Sequence, residues 1–216
     1  MSSLRVRYQT LEFGDTDIHV QTLRDKQQYS DIDGVADKLG ISSASWPLFG
    51  VIWPSSELLA QLMMDYVVDG KRILEVGCGI ALASLVLNRR LADITATDHH
   101  PAVEGFLLEN TRLNKDSDIP FTRIGWADED SGLGEFDLII GSDLLYERDH
   151  VDLLSDFIDQ HARPHCEVII IDPGRGNHPR FSKKMVTLGY AHSQTKPEGT
   201  DHLAQPFRGQ ILRYLR

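Results

Sequence analysis

The chain has 216 residues, a formal net charge of −10, 41% hydrophobic residues and two cysteines. That length accommodates one α/β domain with a substantial core plus a short extension, and argues against a second full domain. The acidic balance disfavours general binding to DNA or RNA, whose affinity comes from clustered Lys and Arg, and leaves a surface suited to a cationic partner. Cys78 and Cys166 make no disulfide framework and fit a reducing interior. The first ten residues lack the apolar core of a secretory signal, and no apolar run approaches the ~20 residues that span a bilayer. The expectation is a cytoplasmic protein with neither membrane nor nucleic-acid partners.

Residues 4–23 read as a β-hairpin, with Ile18, Val20 and Thr22 alternating against polar neighbours and Gly14-Asp15 at the turn. From Asp31 to Ser45 the chain is rich in Asp, Gly and Ser, with a short helical possibility, and predicts a mobile or loosely packed connector. Residues 1–45 are thus set apart as an extension, ahead of a main domain over 46–216. Trp46, Phe49 and Trp53 concentrate aromatic rings just before a helix start at Pro54, behind which Leu58, Leu59, Leu62 and Tyr66 share one face.

After residue 70 the pattern alternates: strand 72–77, helix 81–90, strand 94–98, helix 101–114, strand 121–126, strand 136–142, helix 149–160, strand 167–172 and helix 178–188. Such alternation predicts right-handed crossovers and a doubly wound, mainly parallel sheet. The last two strands, near 190–195 and 209–215, follow without an intervening helix and predict antiparallel pairing at one edge. The expected fold class is α/β, a seven-stranded Rossmann-like sheet with an antiparallel last strand and an N-terminal hairpin.

The most specific motif is Arg72-Ile73-Leu74-Glu75-Val76-Gly77-Cys78-Gly79-Ile80-Ala81, followed by Ile94-Thr95-Ala96-Thr97-Asp98. An apolar run ending in Gly-x-Gly describes a buried strand that turns sharply into a helix and bares backbone amides to a ligand. Asp98 lies about 20 residues beyond Gly77, the spacing at which an acid reaches a ribose hydroxyl. A dinucleotide loop would want a small third residue at position 82, where this chain has Leu82. Glu75, Gly77 and Gly79 instead match acid-x-Gly-x-Gly-x-Gly, with Ala81 for the last glycine, which points to an S-adenosylmethionine site.

Ligands of open α/β sheets bind beyond the carboxyl ends of the strands. There the sequence places Glu75–Gly79, Asp98, Trp126 with Asp128, then Ser142, Asp143 and Tyr146. Asp98 reads as a ribose ligand or, with Pro101 behind it, as a helix cap. Trp126 and Trp53 read as cofactor walls or as core, and Trp46 as packing. His99 and His100 have no spaced third ligand nearby, so no metal is expected. Asp143 ends an apolar strand, where a carboxylate needs a partner or a function, or caps a helix near Arg148. The prolines of the adenine- and glutamine-type Asn/Asp-Pro-Pro-aromatic motif are absent from this strand end, which disfavours a planar amide or a base amine as acceptor. Arg175, in the turn Asp172-Pro173-Gly174-Arg175, either lines the substrate mouth or pairs with an acidic neighbour.

Together these motifs resemble the protein methyltransferases of family 16, seven-β-strand enzymes that include the lysine methyltransferases of valosin-containing protein, of Hsp70 chaperones and of the electron-transfer flavoprotein β-subunit. The resemblance runs from about Phe49 to Glu147. It is carried by Gly50-Val51-Ile52-Trp53-Pro54, Leu74-Glu75-Val76-Gly77-Cys78-Gly79, Thr97-Asp98, Glu109-Asn110-Thr111-Arg112-Leu113-Asn114, Trp126 and Asp143-Leu144-Leu145-Tyr146, the last matching an Asp-x-x-Tyr signature. Asp172-Pro173-Gly174-Arg175 looks most like the flavoprotein-modifying branch. The likeness implies that Trp53, Gly77, Cys78, Gly79, Asp98, Trp126 and Ser142 contact S-adenosylmethionine and that Glu75 holds the glycine loop and the methionine end. It further implies that Asp143 and Tyr146 face an acceptor amine, most naturally a protein lysine. The first 45 residues match nothing placed in the family. The competing readings are a small-molecule amine methyltransferase, an NAD-dependent oxidoreductase and a non-catalytic binding module.

Overall fold

The computed structural model describes residues 4–25, 29–128, 132–200, 203 and 206–216; residues 1–3 and 26–28 of the expected extension lie outside the described residues. Seven strands form one sheet: β3 (Arg72–Val76), β4 (Asp93–Asp98), β5 (Phe121–Arg123), β6 (Phe136–Ser142), β7 (Ala162–Asp172), β8 (Ala191–Thr195) and β9 (Gln210–Leu215). Their order is β5-β4-β3-β6-β7-β9-β8. Pairings from β5 through β7 are parallel, whereas β9 inserts antiparallel between β7 and β8. The doubly wound sheet with its antiparallel ending is therefore the fold read from the sequence.

The central strands are apolar on both faces because helices cover both. Successive residues of a strand point to opposite sides. Ile73, Leu138, Ile140, Ile169 and Ile171 therefore join the core under α2 (Pro54–Asp65), α3 (Leu82–Arg89) and α4 (Val103–Asn114). Leu74, Val76, Ile139, Val168 and Ile170 join the core under α5 (His150–His161) and α6 (His178–Thr187). Among the described residues no helix is long and apolar enough to cross a membrane.

The hairpin pairs β1 (Val6–Phe13) with β2 (Thr16–Leu23) in a separate two-stranded sheet. Buried Phe13, Ile18, Val20 and Leu23 join the α2–α4 core, and two side chains of α4 hold the strand by its backbone. Asn110 Oδ1 accepts from the Gln21 amide at 2.6 Å and its Nδ2 donates to the Gln21 carbonyl at 3.4 Å; Asn114 does the same to His19 at 2.9 and 2.7 Å. Carboxamides one helical turn apart thus meet every second residue of the strand, each standing in for a neighbouring peptide group.

Three differences from the sequence-based elements have physical causes. The connector is docked, not loose: α1 (Val35–Lys38) buries Ala36, Asp31 accepts from the Val35 and Asp37 amides, and the Leu39 carbonyl meets His99 Nε2 at 3.1 Å, while Tyr29, just ahead of it, packs edge-on against Phe49 and His100. β5 stops at Arg123, before Trp126, because Asp128 accepts from the Gly125 amide at 2.7 Å and closes a turn. β7 begins at Ala162, and a register irregularity opposite Phe136–Leu138 absorbs its polar, proline-containing start.

Candidate active site

The strand order runs outward in both directions from β3 and β6, so their junction is the topological switch point at which open α/β sheets bind ligands. The carboxyl ends of β4, β3, β6 and β7 stand side by side there, carrying Asp98, Gly77–Gly79, Ser142–Asp143 and Asp172–Arg175. With neighbouring strands ~4.8 Å apart, the ends of β4 and β6 are separated by roughly 10 Å, and the glycine loop lies between them.

Gly77 (φ 59°), Gly79 (φ 54°) and Ala81 (φ 59°) all take the left-handed conformation. The two glycines do so freely, and Ala81 at a cost of about 1–2 kcal/mol. A Cβ on Gly77 would meet Leu144 at 2.6 Å and Trp126 at 3.6 Å; one on Gly79 would meet the Phe49 carbonyl oxygen at 3.0 Å. The loop is therefore walled by the turn after β6 on one side and by the 3-10 turn Leu48–Gly50 on the other. Buried Cys78, its thiol pushed up by burial, ties the loop to β4 through its amide, which donates to the Thr97 carbonyl at 2.9 Å.

Asp98 continues that tie, accepting from the Gly79 amide (2.9 Å) through one oxygen and from the His100 amide (2.8 Å) through the other. It does not cap α4, which starts at Val103. Burial raises its pKa, against these backbone donors. These contacts leave lone pairs on the carboxylate for ligand hydroxyls, the acceptor set that a ribose diol needs. His99 Nε2 lies 3.1 Å from the Leu39 carbonyl, and His100 stacks on Phe49 with centroids 4.1 Å apart, so the pair divides between connector and core. Burial lowers the His100 pKa to about 4.

Glu75 is 2% exposed and reaches α3, not the loop: one oxygen accepts from the Ser84 amide at 2.8 Å and from the Ser84 hydroxyl. Ala81 has no side chain that can cap α3, and Glu75 supplies that acceptor from the neighbouring strand, where an anion also suits the helix dipole. Burial pushes its pKa to about 7 despite the two Ser84 donors.

Asp143 follows β6 with φ 56° and does not cap α5. Its carboxylate is held by Arg175 in a two-point contact, Nε to Oδ1 at 2.5 Å and Nη2 to Oδ2 at 2.7 Å. Of the two roles open to Arg175, the acidic partnership is the one present, and the acid is the site's own. Ser142 ends β6 half-buried, level with Ile171 of β7.

Tyr146, Trp126 and His150 form a row of rings: His150 stands edge-on to Tyr146 at 4.5 Å and to Trp126 at 5.0 Å. His150 Nδ1 donates to the Leu144 carbonyl at 2.7 Å, which fixes its orientation. Partial burial and the charges of Asp98, Glu147 and Asp143 push the Tyr146 pKa to about 12, so at neutral pH it is a phenol that offers a proton. The Trp53 indole N–H donates to the Leu48 carbonyl at 3.0 Å, which fixes the ring against the 3-10 turn. Trp46 is likewise tied to the Ile41 carbonyl at 2.9 Å, as a packing residue would be.

The sequence offers Asn110, Asn114 and Leu144 only as members of longer motifs and does not single out His150. The asparagine clasp had a visible signal of its own, two polar residues one turn apart among the buried positions of an amphipathic helix. His150 and Leu144 had none, because their importance comes from the rings and the glycine they meet in the fold.

A family model described as lysine methyltransferase matches residues 43–185. The electron transfer flavoprotein beta subunit lysine methyltransferase of Xenopus laevis is 31% identical over 160 residues, 70% of this chain and 64% of that protein. Protein N-lysine methyltransferase METTL21A of Danio rerio is 32% identical over 116 residues, 48% of this chain and 52% of that protein. The chain spans between about half and just under two thirds of the length of these curated relatives. The fold is shared with the T. Thermophilus 16S rRNA N2 G1207 methyltransferase in complex with AdoMet and guanosine, at a TM-score of 0.66 and 14% identity, over 98% of this chain and 51% of that one.

Proposed function

The chain belongs to the lysine methyltransferase family, and from that membership and the site's geometry we propose that it methylates the side-chain amine of a protein lysine, using S-adenosylmethionine. The observation that carries the proposal is the placement of two carboxylates, Asp98 and Asp143, on either side of a left-handed glycine loop at the switch point. When bound, S-adenosylmethionine supplies a methyl group on a sulfonium, whose C–S bonding pair stays with sulfur as the acceptor nitrogen's lone pair takes the carbon.

The residues present fit that donor. Asp98 has lone pairs left for the ribose hydroxyls, and the Gly77–Gly79 loop offers backbone against which the methionine arm can lie. Trp53 and Trp126 offer ring faces to adenine, Cys78 and Ser142 complete the wall, and Glu75 fixes the loop indirectly by anchoring α3. The acidic surroundings suit a cation. Residues 46–216 carry this machinery and residues 1–45 are an extension; both cysteines are free, in keeping with a cytoplasmic setting.

In-line displacement asks the enzyme mainly to align nucleophile and methyl carbon in a dry site. An ordinary lysine, of pKa ~10.4, costs about 4–5 kcal/mol to deprotonate at pH 7, at ~1.36 kcal/mol per unit. Asp143 is a poor general base for that proton, which leaves to water. Its carboxylate orients the amine and stabilises the positive charge that nitrogen gains in the transition state. Tyr146 walls the amine pocket with its ring or its hydroxyl.

The test is transfer of labelled methyl from S-adenosylmethionine to a dialysed lysate, with calorimetry of S-adenosylhomocysteine on the purified chain. Label in lysines of a protein band is the expected result. Label confined to small molecules would shift the acceptor class, and no uptake of the demethylated product would overturn the assignment.

A further inference from the structure

Arg175 sits between two left-handed glycines, Gly174 (φ 95°) and Gly176 (φ 87°), in a turn that begins where buried Asp172 accepts from the Gly174 amide at 2.9 Å. That turn delivers the Nε–Nη2 edge of the guanidinium to Asp143, whose side chain is 10% exposed against 41% for Arg175. Linked to this carboxylate are Arg175 and Asp172 from the end of β7 and Tyr146 from the turn after β6, and next to those lie Asp98 from β4, Glu147, His150 at the start of α5 and His178 of α6. Arg175 is the one permanent cation in contact with the carboxylate among the described residues.

We propose that Arg175 is a positioning residue that pins the Asp143 carboxylate and offsets its charge, so that the acceptor amine enters and remains in its neutral, nucleophilic form. The proposal rests on the amine-methylating assignment above. A bare carboxylate a few ångströms from an amine favours the ammonium and raises its pKa by about 1–3 units. Every unit removes about nine tenths of the neutral nucleophile. With a guanidinium bound in two places, the acid's field on a third group is reduced but not removed, so part of its pull on the charge gained in the transition state remains. Each carboxylate oxygen still has a lone pair for the amine's N–H, so orientation survives while the electrostatic penalty falls. A single ammonium in place of the fork would retain the charge but not the fixed plane.

The experiment is the pH dependence of kcat and KM, from about pH 6.5 to 10.5, on a lysine acceptor for the wild type, R175A, R175Q and R175K, with S-adenosylhomocysteine calorimetry on each. In R175A and R175Q the acid limb of kcat should move up by about one unit. Activity then falls about tenfold at pH 7.5 and returns to within about twofold above pH 10. The acceptor KM should hold or fall, because the exposed carboxylate binds ammonium well. R175K should recover most of the limb, and product affinity should match the wild type in all three. A loss equal at every pH, or a raised KM with an unmoved limb, would show a mere tie between strand ends and overturn the proposal. Absence of product binding by the wild type would instead overturn the methyltransferase assignment, and this inference with it.

Discussion

The two halves of the site are built in different ways. On the β4 side, side chains are held by backbone: Asp98 by the Gly79 and His100 amides, and the hairpin beyond α4 by Asn110 and Asn114 against peptide groups of β2. On the β6–β7 side the decisive contact is between side chains, Asp143 to Arg175, across two strand ends and 32 residues of chain. Backbone-held groups stay put because moving them breaks secondary structure. A pair of side chains is held only as well as each partner holds the other, so its geometry depends on both residues being present. The Asp98 side is thus fixed by main chain, and the Asp143 side by the match between two side chains.

Breaking the two halves separately tests this division. Asp143→Ala should have the largest effect, a loss of about 10²- to 10³-fold in kcat, with S-adenosylhomocysteine affinity near that of the wild type in calorimetry. Removing both carboxamides, Asn110→Ala with Asn114→Ala, should cost about 2–4 kcal/mol in denaturant unfolding, since it strands the His19 and Gln21 peptide groups. Faster hydrogen exchange at those two amides would locate the loss in the hairpin. Asp98→Ala should be smallest, weakening product binding by about 10- to 100-fold with a lesser effect on kcat at saturating donor. Equal damage to kcat and to product affinity from both aspartate variants would show the halves to be one cooperative unit.

What the sequence displayed best is the backbone-held half. Gly77 and Gly79 advertise a turn that few other residues accept, and Leu138–Ile140 and Val168–Ile171 advertise strands covered on both faces, because these constraints are local. Ala81 stands in the place of the motif's last glycine and takes the left-handed backbone that a glycine would. Arg175 was visible as a residue, but its partnership with Asp143 depends on which strands become neighbours, which no local pattern carries. The connector over 31–45 differs for a similar reason: its Asp, Gly and Ser composition describes a loop, whereas the burial of Ala36 and the contact of the Leu39 carbonyl with His99 depend on what the fold brings to it. Trp126 is expected at the end of a strand over 121–126, whereas the Asp128 side chain, by accepting from the Gly125 amide, turns the chain after Arg123, a contact no local pattern displays.

Two interior groups have opposite proton balances. Glu75, with its pKa at about 7, holds a proton in the native state that an unfolded glutamate has released above 4.5; that favours folding below 4.5 and is lost as pH rises through 7. His100, at about 4, refuses a proton that an unfolded histidine takes up below 6.5; that favours folding above 6.5 and is lost as pH falls through 4. Between about 4.5 and 6.5 the two slopes, each about 1.4 kcal/mol per pH unit, run in opposite directions and cancel. Relative to the parent chain, Glu75→Gln should therefore show a melting temperature that falls more on acidification across this window, and His100→Phe one that falls more as pH rises.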